Sequence, residues 1–119
     1  MAPIRLAIHG AAGRMGRRLV ALGSADPDLQ ITAALEFATH PDLGRDAGEL
    51  AGVSKLGIPL AATLPPGLDV VIDFSIPEAT AQITTACVEK SIPLVVATTG
   101  LSHEQRERCL LYTSDAADE

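Results

Sequence analysis

The chain reads as an α/β protein built on a doubly wound parallel sheet. Three observations predict it. Short apolar runs suited to buried strands alternate with stretches of helical spacing, roughly 10–15 residues each, which is the signature of strand–helix–strand units. Residues are 47% hydrophobic but only 3% aromatic. The core must therefore come from Val, Ile, Leu and Ala, a mix that suits a parallel sheet covered on both faces. Glycines also cluster where the first strand should hand over to the first helix. With 119 residues, the chain holds one small domain.

The elements follow in order. Residues 4–8, Ile-Arg-Leu-Ala-Ile, form the first strand. A helix should start near Ala12 and run to about Ser24, with Met15, Leu19 and Leu22 as the apolar stripe that packs on the sheet. Asp26-Pro27-Asp28 is a turn. Residues 29–35 read as the second strand, ending at Glu36. The stretch 37–56 is irregular, with Gly44, Gly48 and Gly52 and one helical turn around 46–50. Residues 57–61 suit a short edge strand, because Pro59 argues against a central one.

Leu64-Pro65-Pro66-Gly67 is a turn, and residues 69–74 form the clearest buried strand. Ser75-Ile76-Pro77-Glu78 then fits a helix start: Ser75 as cap, Glu78 completing a capping box, and Pro77 in the first turn, where no amide hydrogen is missed. That helix should reach Lys90. Pro93 leads into a strand over 94–98, Gly100 breaks it, and Ser102 with Gln105 opens a last helix.

Composition excludes several function classes. The formal net charge is −6, which argues against binding a phosphate backbone of nucleic acid. No apolar run approaches the roughly 20 residues that cross a bilayer. Cys87 and Cys109 have no metal-ligand spacing and read as reduced thiols of a cytoplasmic protein. None of His9, His40 and His103 is assigned a chemical role; His9 reads as a packed histidine.

The chemical signal lies in Gly10-Ala11-Ala12-Gly13-Arg14-Met15-Gly16. The spacing G-x-x-G-x-x-G is a close variant of the dinucleotide fingerprint. A chain leaving a strand must turn sharply, approach a pyrophosphate without side chains in the way, and pack its helix closely. Amides left bare across 10–16 would receive the diphosphate, helped by the helix dipole. Glu36 lies 20 residues past Gly16, where an acid can hold the adenosine ribose. Arg14 would oppose the dipole unless a phosphate sits beside it. The alternative is that the glycines serve only a tight turn.

Four motifs occur together: Gly-Ala-Ala-Gly-Arg-Met-Gly at 10–16, Asp-Ala-Gly-Glu-Leu-Ala-Gly at 46–52, Val-Ile-Asp-Phe-Ser at 71–75 and Thr-Thr-Gly at 98–100. From residue 4 to about 105 the chain resembles the 4-hydroxy-tetrahydrodipicolinate reductase family. The resemblance implies a Rossmann-type cofactor domain, with NADH or NADPH as hydride donor. It also implies a cyclic dicarboxylate substrate on the route to diaminopimelate and lysine, and a cytoplasmic homotetramer. By the same resemblance Gly10, Ala11, Ala12, Gly13, Arg14 and Met15 wrap the pyrophosphate, and Glu36 holds the ribose. Phe74, Ser75, Ala97, Thr98 and Thr99 face the nicotinamide end.

Two departures matter. Many members carry Arg after the ribose-binding acid, to meet the 2′-phosphate of NADPH; here Phe37 stands there, which predicts a preference for NADH. The family's catalytic residues also lie in a C-terminal substrate domain, which is expected to be absent, so that no residue here receives a catalytic role. Residues 1–108 are read as the cofactor domain, its sheet incomplete, and 109–119 as a non-native or disordered tail. Two other readings are carried. One is a different small-acid dehydrogenase, against which the Gly-Arg-Met-Gly and Thr-Thr-Gly pair argues. The other is a non-catalytic nucleotide- or CoA-binding module, which would not require an acid at Glu36.

Overall fold

A computed structural model describes residues 2–97. The expected strand at 98, the last helix from Ser102, and the tail 109–119 lie outside the described residues. Within them the order is β1 (Ile4–His9), α1 (Arg14–Ser24), β2 (Leu29–Leu35), α2 (Ala47–Leu50), β3 (Leu60–Ala61), β4 (Val70–Asp73), α3 (Pro77–Lys90) and β5 (Leu94–Val96). The five strands form one sheet in the order β3-β2-β1-β4-β5, and each neighbouring pair is parallel. The strand order reverses between β1 and β4, and ligands of open α/β sheets bind beyond the carboxyl ends at such a switch point.

Alternation along β1 divides the core. Leu6 and Ile8 join Val20 of α1 and Ala47 of α2 on one face. Ala7 joins Ile83 and Cys87 of α3 on the other. The sheet is thus covered on both sides, as the aliphatic composition requires. Among the described residues no helix is long and apolar enough to cross a membrane.

Two expectations are corrected. Helix α1 does not pack through Met15 and Leu22, which are 46% and 62% exposed. Its buried residues are Gly16, Val20 and Gly23, and Leu19 is only partly buried against the core. The helix lies so close that a Cβ on Gly16 would come within 2.0 Å of the Gly10 carbonyl oxygen. A stripe of glycines and one valine, rather than bulky side chains, faces the sheet.

Helix α3 also starts differently. Its N-cap is Ile76 with no side-chain cap, so Ser75 does not cap it and Glu78 completes no capping box. The Ser75 hydroxyl is drawn to Asp73 instead. Pro77 does open the helix at its first position. The edge strand near Pro59 forms only at Leu60–Ala61, and Pro59 itself makes an isolated antiparallel bridge to Asp46.

Candidate functional site

The glycine loop leaves β1 with Gly10 in the left-handed region, φ +84°. A Cβ there would meet the Phe74 carbonyl oxygen at 2.8 Å. Both the dihedral and the approach to the β4–α3 turn require glycine. Gly10 and Gly16 are therefore needed by the protein's own packing. Gly13 is less confined, since a Cβ on it would meet only the Gly10 carbonyl oxygen, at 3.3 Å.

The loop amides sort into two groups. Gly10 and Ala11 both donate to the Leu35 carbonyl, at 2.8 and 3.1 Å, extending the β1–β2 pairing past the last strand residue. Gly13 donates to Gly10 at 3.0 Å, and Ala12 donates to the Glu36 carboxylate at 3.1 Å. The expectation of bare amides across 10–16 is corrected to a shorter row. Arg14, Met15 and Gly16 stand in the first turn of α1, where helix geometry supplies no acceptor. No side chain caps that end, and its first turn holds no acid.

Eleven-residue α1 therefore presents, among the described residues, three unclaimed N–H groups and the positive end of its dipole beside the loop. Arg14 occupies the first helical position, a cation where the dipole disfavours one. Glu36 is 8% exposed. Its Oε2 is bound to Ala12, and no bond to Oε1 is made among the described residues. Because no fully buried side-chain oxygen of the described residues lacks a partner, Oε1 is not sealed from solvent. A carboxylate with one oxygen anchored to the loop and the other open can accept hydroxyl groups. These features fit a dinucleotide: a place for a diphosphate, and an acceptor for a sugar next to it. Phe37 is 39% exposed and stacks edge-on against His40, with ring centroids 5.0 Å apart.

Across the switch point, Phe74 and Ser75 follow β4. The Phe74 amide donates to the His9 carbonyl at 3.0 Å, and Ala97 to the Asp73 carbonyl at 2.9 Å. These residues thus converge beside the loop, at the carboxyl edge of the sheet. Thr98 and Thr99 lie outside the described residues.

Sequence reading missed the polar group beneath this edge. Asp73 and Thr80 are fully buried, and His9 and Thr84 nearly so. The Asp73 carboxylate accepts from His9 Nδ1 at 2.7 Å, from the Ser75 amide at 3.1 Å, and from the hydroxyls of Ser75 and Thr80. With the carboxylate ionised, which only accepts, this bond requires the His9 proton on Nδ1. A charged residue closing an apolar strand, two residues before a serine, was the available signal. Nearby, burial pushes the Cys87 thiol up to about 11, and the Asp73 charge adds to the rise.

The family model described as "Dihydrodipicolinate reductase, N-terminus" matches residues 4–115. The chain belongs to that family. Among relatives of the family, the 4-hydroxy-tetrahydrodipicolinate reductase of Rhodopirellula baltica is 50% identical over 110 residues, covering 88% of this chain and 39% of the relative. The enzyme of the same name from Methylococcus capsulatus is 47% identical, covering 87% of this chain and 40% of its own. The chain thus spans about two fifths of these curated relatives.

A solved structure, dipicolinate-bound dihydrodipicolinate reductase from Paenisporosarcina sp. TG-14, superposes with a TM-score of 0.68 at 22% identity. That match covers 96% of this chain and 44% of the other. At that identity it establishes the fold, a Rossmann-like parallel sheet.

Proposed function

We propose that this chain is the cofactor-holding half of an NAD(P)H-dependent reductase that converts 4-hydroxy-tetrahydrodipicolinate to tetrahydrodipicolinate, in diaminopimelate and lysine biosynthesis. The observation that carries the reading is the uncapped α1 N-terminus joined to Glu36 through the 3.1 Å bond from Ala12. Gly10, Ala11, Ala12, Gly13, Arg14 and Met15 wrap the diphosphate, with the N–H groups of Arg14, Met15 and Gly16 as donors. Arg14 supplies the counter-charge that the bare dipole lacks, and Glu36 holds the ribose.

Phe74, Ser75, Ala97, Thr98 and Thr99 border the nicotinamide, which supplies a hydride when the cofactor is bound. Phe37 offers an apolar face and no cation. Beside the anionic Glu36 this favours NADH over NADPH, because a 2′-phosphate would be desolvated against a carboxylate.

The dicarboxylate substrate belongs to the rest of the full-length protein, a cytoplasmic homotetramer. The dipicolinate held by the Paenisporosarcina reductase supports a cyclic dicarboxylate. Positioning the substrate against the nicotinamide can be worth roughly 7–11 kcal/mol of barrier, so the chain alone binds cofactor without turnover. Calorimetric titration with NADH, NADPH and CoA tests the reading. NADH should bind most tightly, and Glu36→Ala should weaken it by about tenfold or more. Binding of CoA with no response to NADH would replace the reductase reading with a non-catalytic module.

A further inference from the structure

The Asp73 carboxylate does more than fill a polar gap in the core. On one side it takes the Nδ1 proton of His9, the last residue of β1. On the other it takes the Ser75 amide and hydroxyl, and from below the Thr80 hydroxyl of α3. Three elements meet on one anion. The turn it fixes is the one whose Phe74 carbonyl abuts Gly10, close enough that an added Cβ would stand 2.8 Å away. The backbone agrees, since Phe74 N–H donates to the carbonyl of His9.

The β4–α3 turn is thus tied twice to the residue preceding the glycine loop, once through main chain and once through a buried charge. Main-chain pairing alone sets the register of Phe74. The Ser75 side chain makes its shortest bond to the carboxylate, with longer contacts to the Ile76 carbonyl at 3.3 Å and the Thr80 hydroxyl at 3.4 Å.

We propose that His9 and Asp73 are positioning residues for the nicotinamide half of the dinucleotide site. His9 orients the Asp73 carboxylate, and Asp73 aims Ser75 and the Phe74–Ser75 peptide at the bound ring. Removing the His9 donor leaves the Asp73 carboxylate held by Ser75 and Thr80 with one bond fewer, so its orientation and that of the turn are less tightly set. The loosening is felt at the turn and not at Glu36 or the α1 N-terminus, which hold the adenosine and diphosphate. The effect therefore separates the two halves of the cofactor. This inference rests on the assignment of the loop and turn to a dinucleotide.

The test compares NADH with ADP-ribose, which lacks only the nicotinamide, by calorimetric titration of the full chain. In His9→Leu, NADH affinity should fall about tenfold while ADP-ribose affinity stays within about twofold of the original. His9→Asn, whose side-chain amide places a donor near the Nδ1 position, should restore most of the NADH affinity. Thr80→Val removes the α3 hydroxyl donor to the same carboxylate at a residue outside the cofactor's border, and should give the same split even if His9→Leu fails to fold. Equal loss for both ligands, or no loss for either, overturns the inference. An original chain that binds neither ligand overturns the dinucleotide assignment, and the inference with it.

Discussion

Single side chains decide the local geometry in ways that spacing alone does not show. Asp46 caps the short helix α2 through Glu49, and its carboxylate also gathers the amides of Leu56, Gly57 and Ile58. Burial would raise this carboxyl, but the N–H groups of Leu56, Glu49, Ile58 and Gly57 outweigh it and hold it below its ordinary value of 3.8. A group with a depressed folded value stabilises the fold above its unfolded value and loses that contribution as pH falls through the folded one. Asp46→Ala should therefore lower the urea midpoint at neutral pH. The gap from the original chain should shrink once pH drops below 3.8; a gap that does not change with pH would show that the ionised carboxylate is not what holds the segment. The helical turn at 46–50 was legible in the sequence from its residues. The convergence of three more amides on Asp46 was not, because those donors lie 10–12 positions away in a stretch with no periodicity. Asp73 escaped for a related reason: it closes an apolar run, and its partners among the described residues come from β1, the β4–α3 turn and α3.

At the scale of elements, the strands were legible because their apolar runs and flanking turns agree, and β2 spans the expected residues. Helix α1 was placed correctly but faced wrongly. Hydrophobic periodicity selected Met15 and Leu22, whereas close packing selected Gly16, Val20 and Gly23. The decisive quantity is the distance between helix and sheet, which periodicity does not encode. The two glycines should differ in tolerance. A methyl at Gly16 meets backbone, the Gly10 carbonyl oxygen at 2.0 Å and carbonyl carbon at 2.7 Å, and nothing there can yield without moving the loop. Gly16→Ala should cost about 1–3 kcal/mol by urea denaturation. A methyl at Gly23 meets only the tip of Ile31, Cδ1 at 2.6 Å, which can rotate. The gain of about 1 kcal/mol in helix propensity offsets that adjustment, so Gly23→Ala should stay within about 1 kcal/mol of the original. Equal costs at the two sites would contradict the close approach of α1 to the loop.

For the molecule as a whole, the sequence made the doubly wound sheet legible through alternation and composition, and it placed Glu36 beside the loop through spacing. Which amides remain free was not legible, because that depends on how far the β1–β2 ladder runs past its last residues. A ligand that binds only the folded chain stabilises it by an amount that grows with the logarithm of its concentration above the dissociation constant. Buried Cys87, its thiol raised to about 11, reports on this, since it reacts only when the core opens. In a Cys109→Ser background, NADH at about 100 times its dissociation constant should slow alkylation of Cys87 about 100-fold, equivalent to about 2.7 kcal/mol. Rapid alkylation indifferent to NADH would mean that the cofactor does not bind the packed state. The central claim is that a diphosphate rests on the open amides of the α1 N-terminus. An amide-resolved magnetic resonance titration of the chain with NADH tests it most directly: the account predicts saturable shifts largest at Arg14, Met15 and Gly16, reproduced by ADP-ribose. Those three resonances standing still while others move would contradict it.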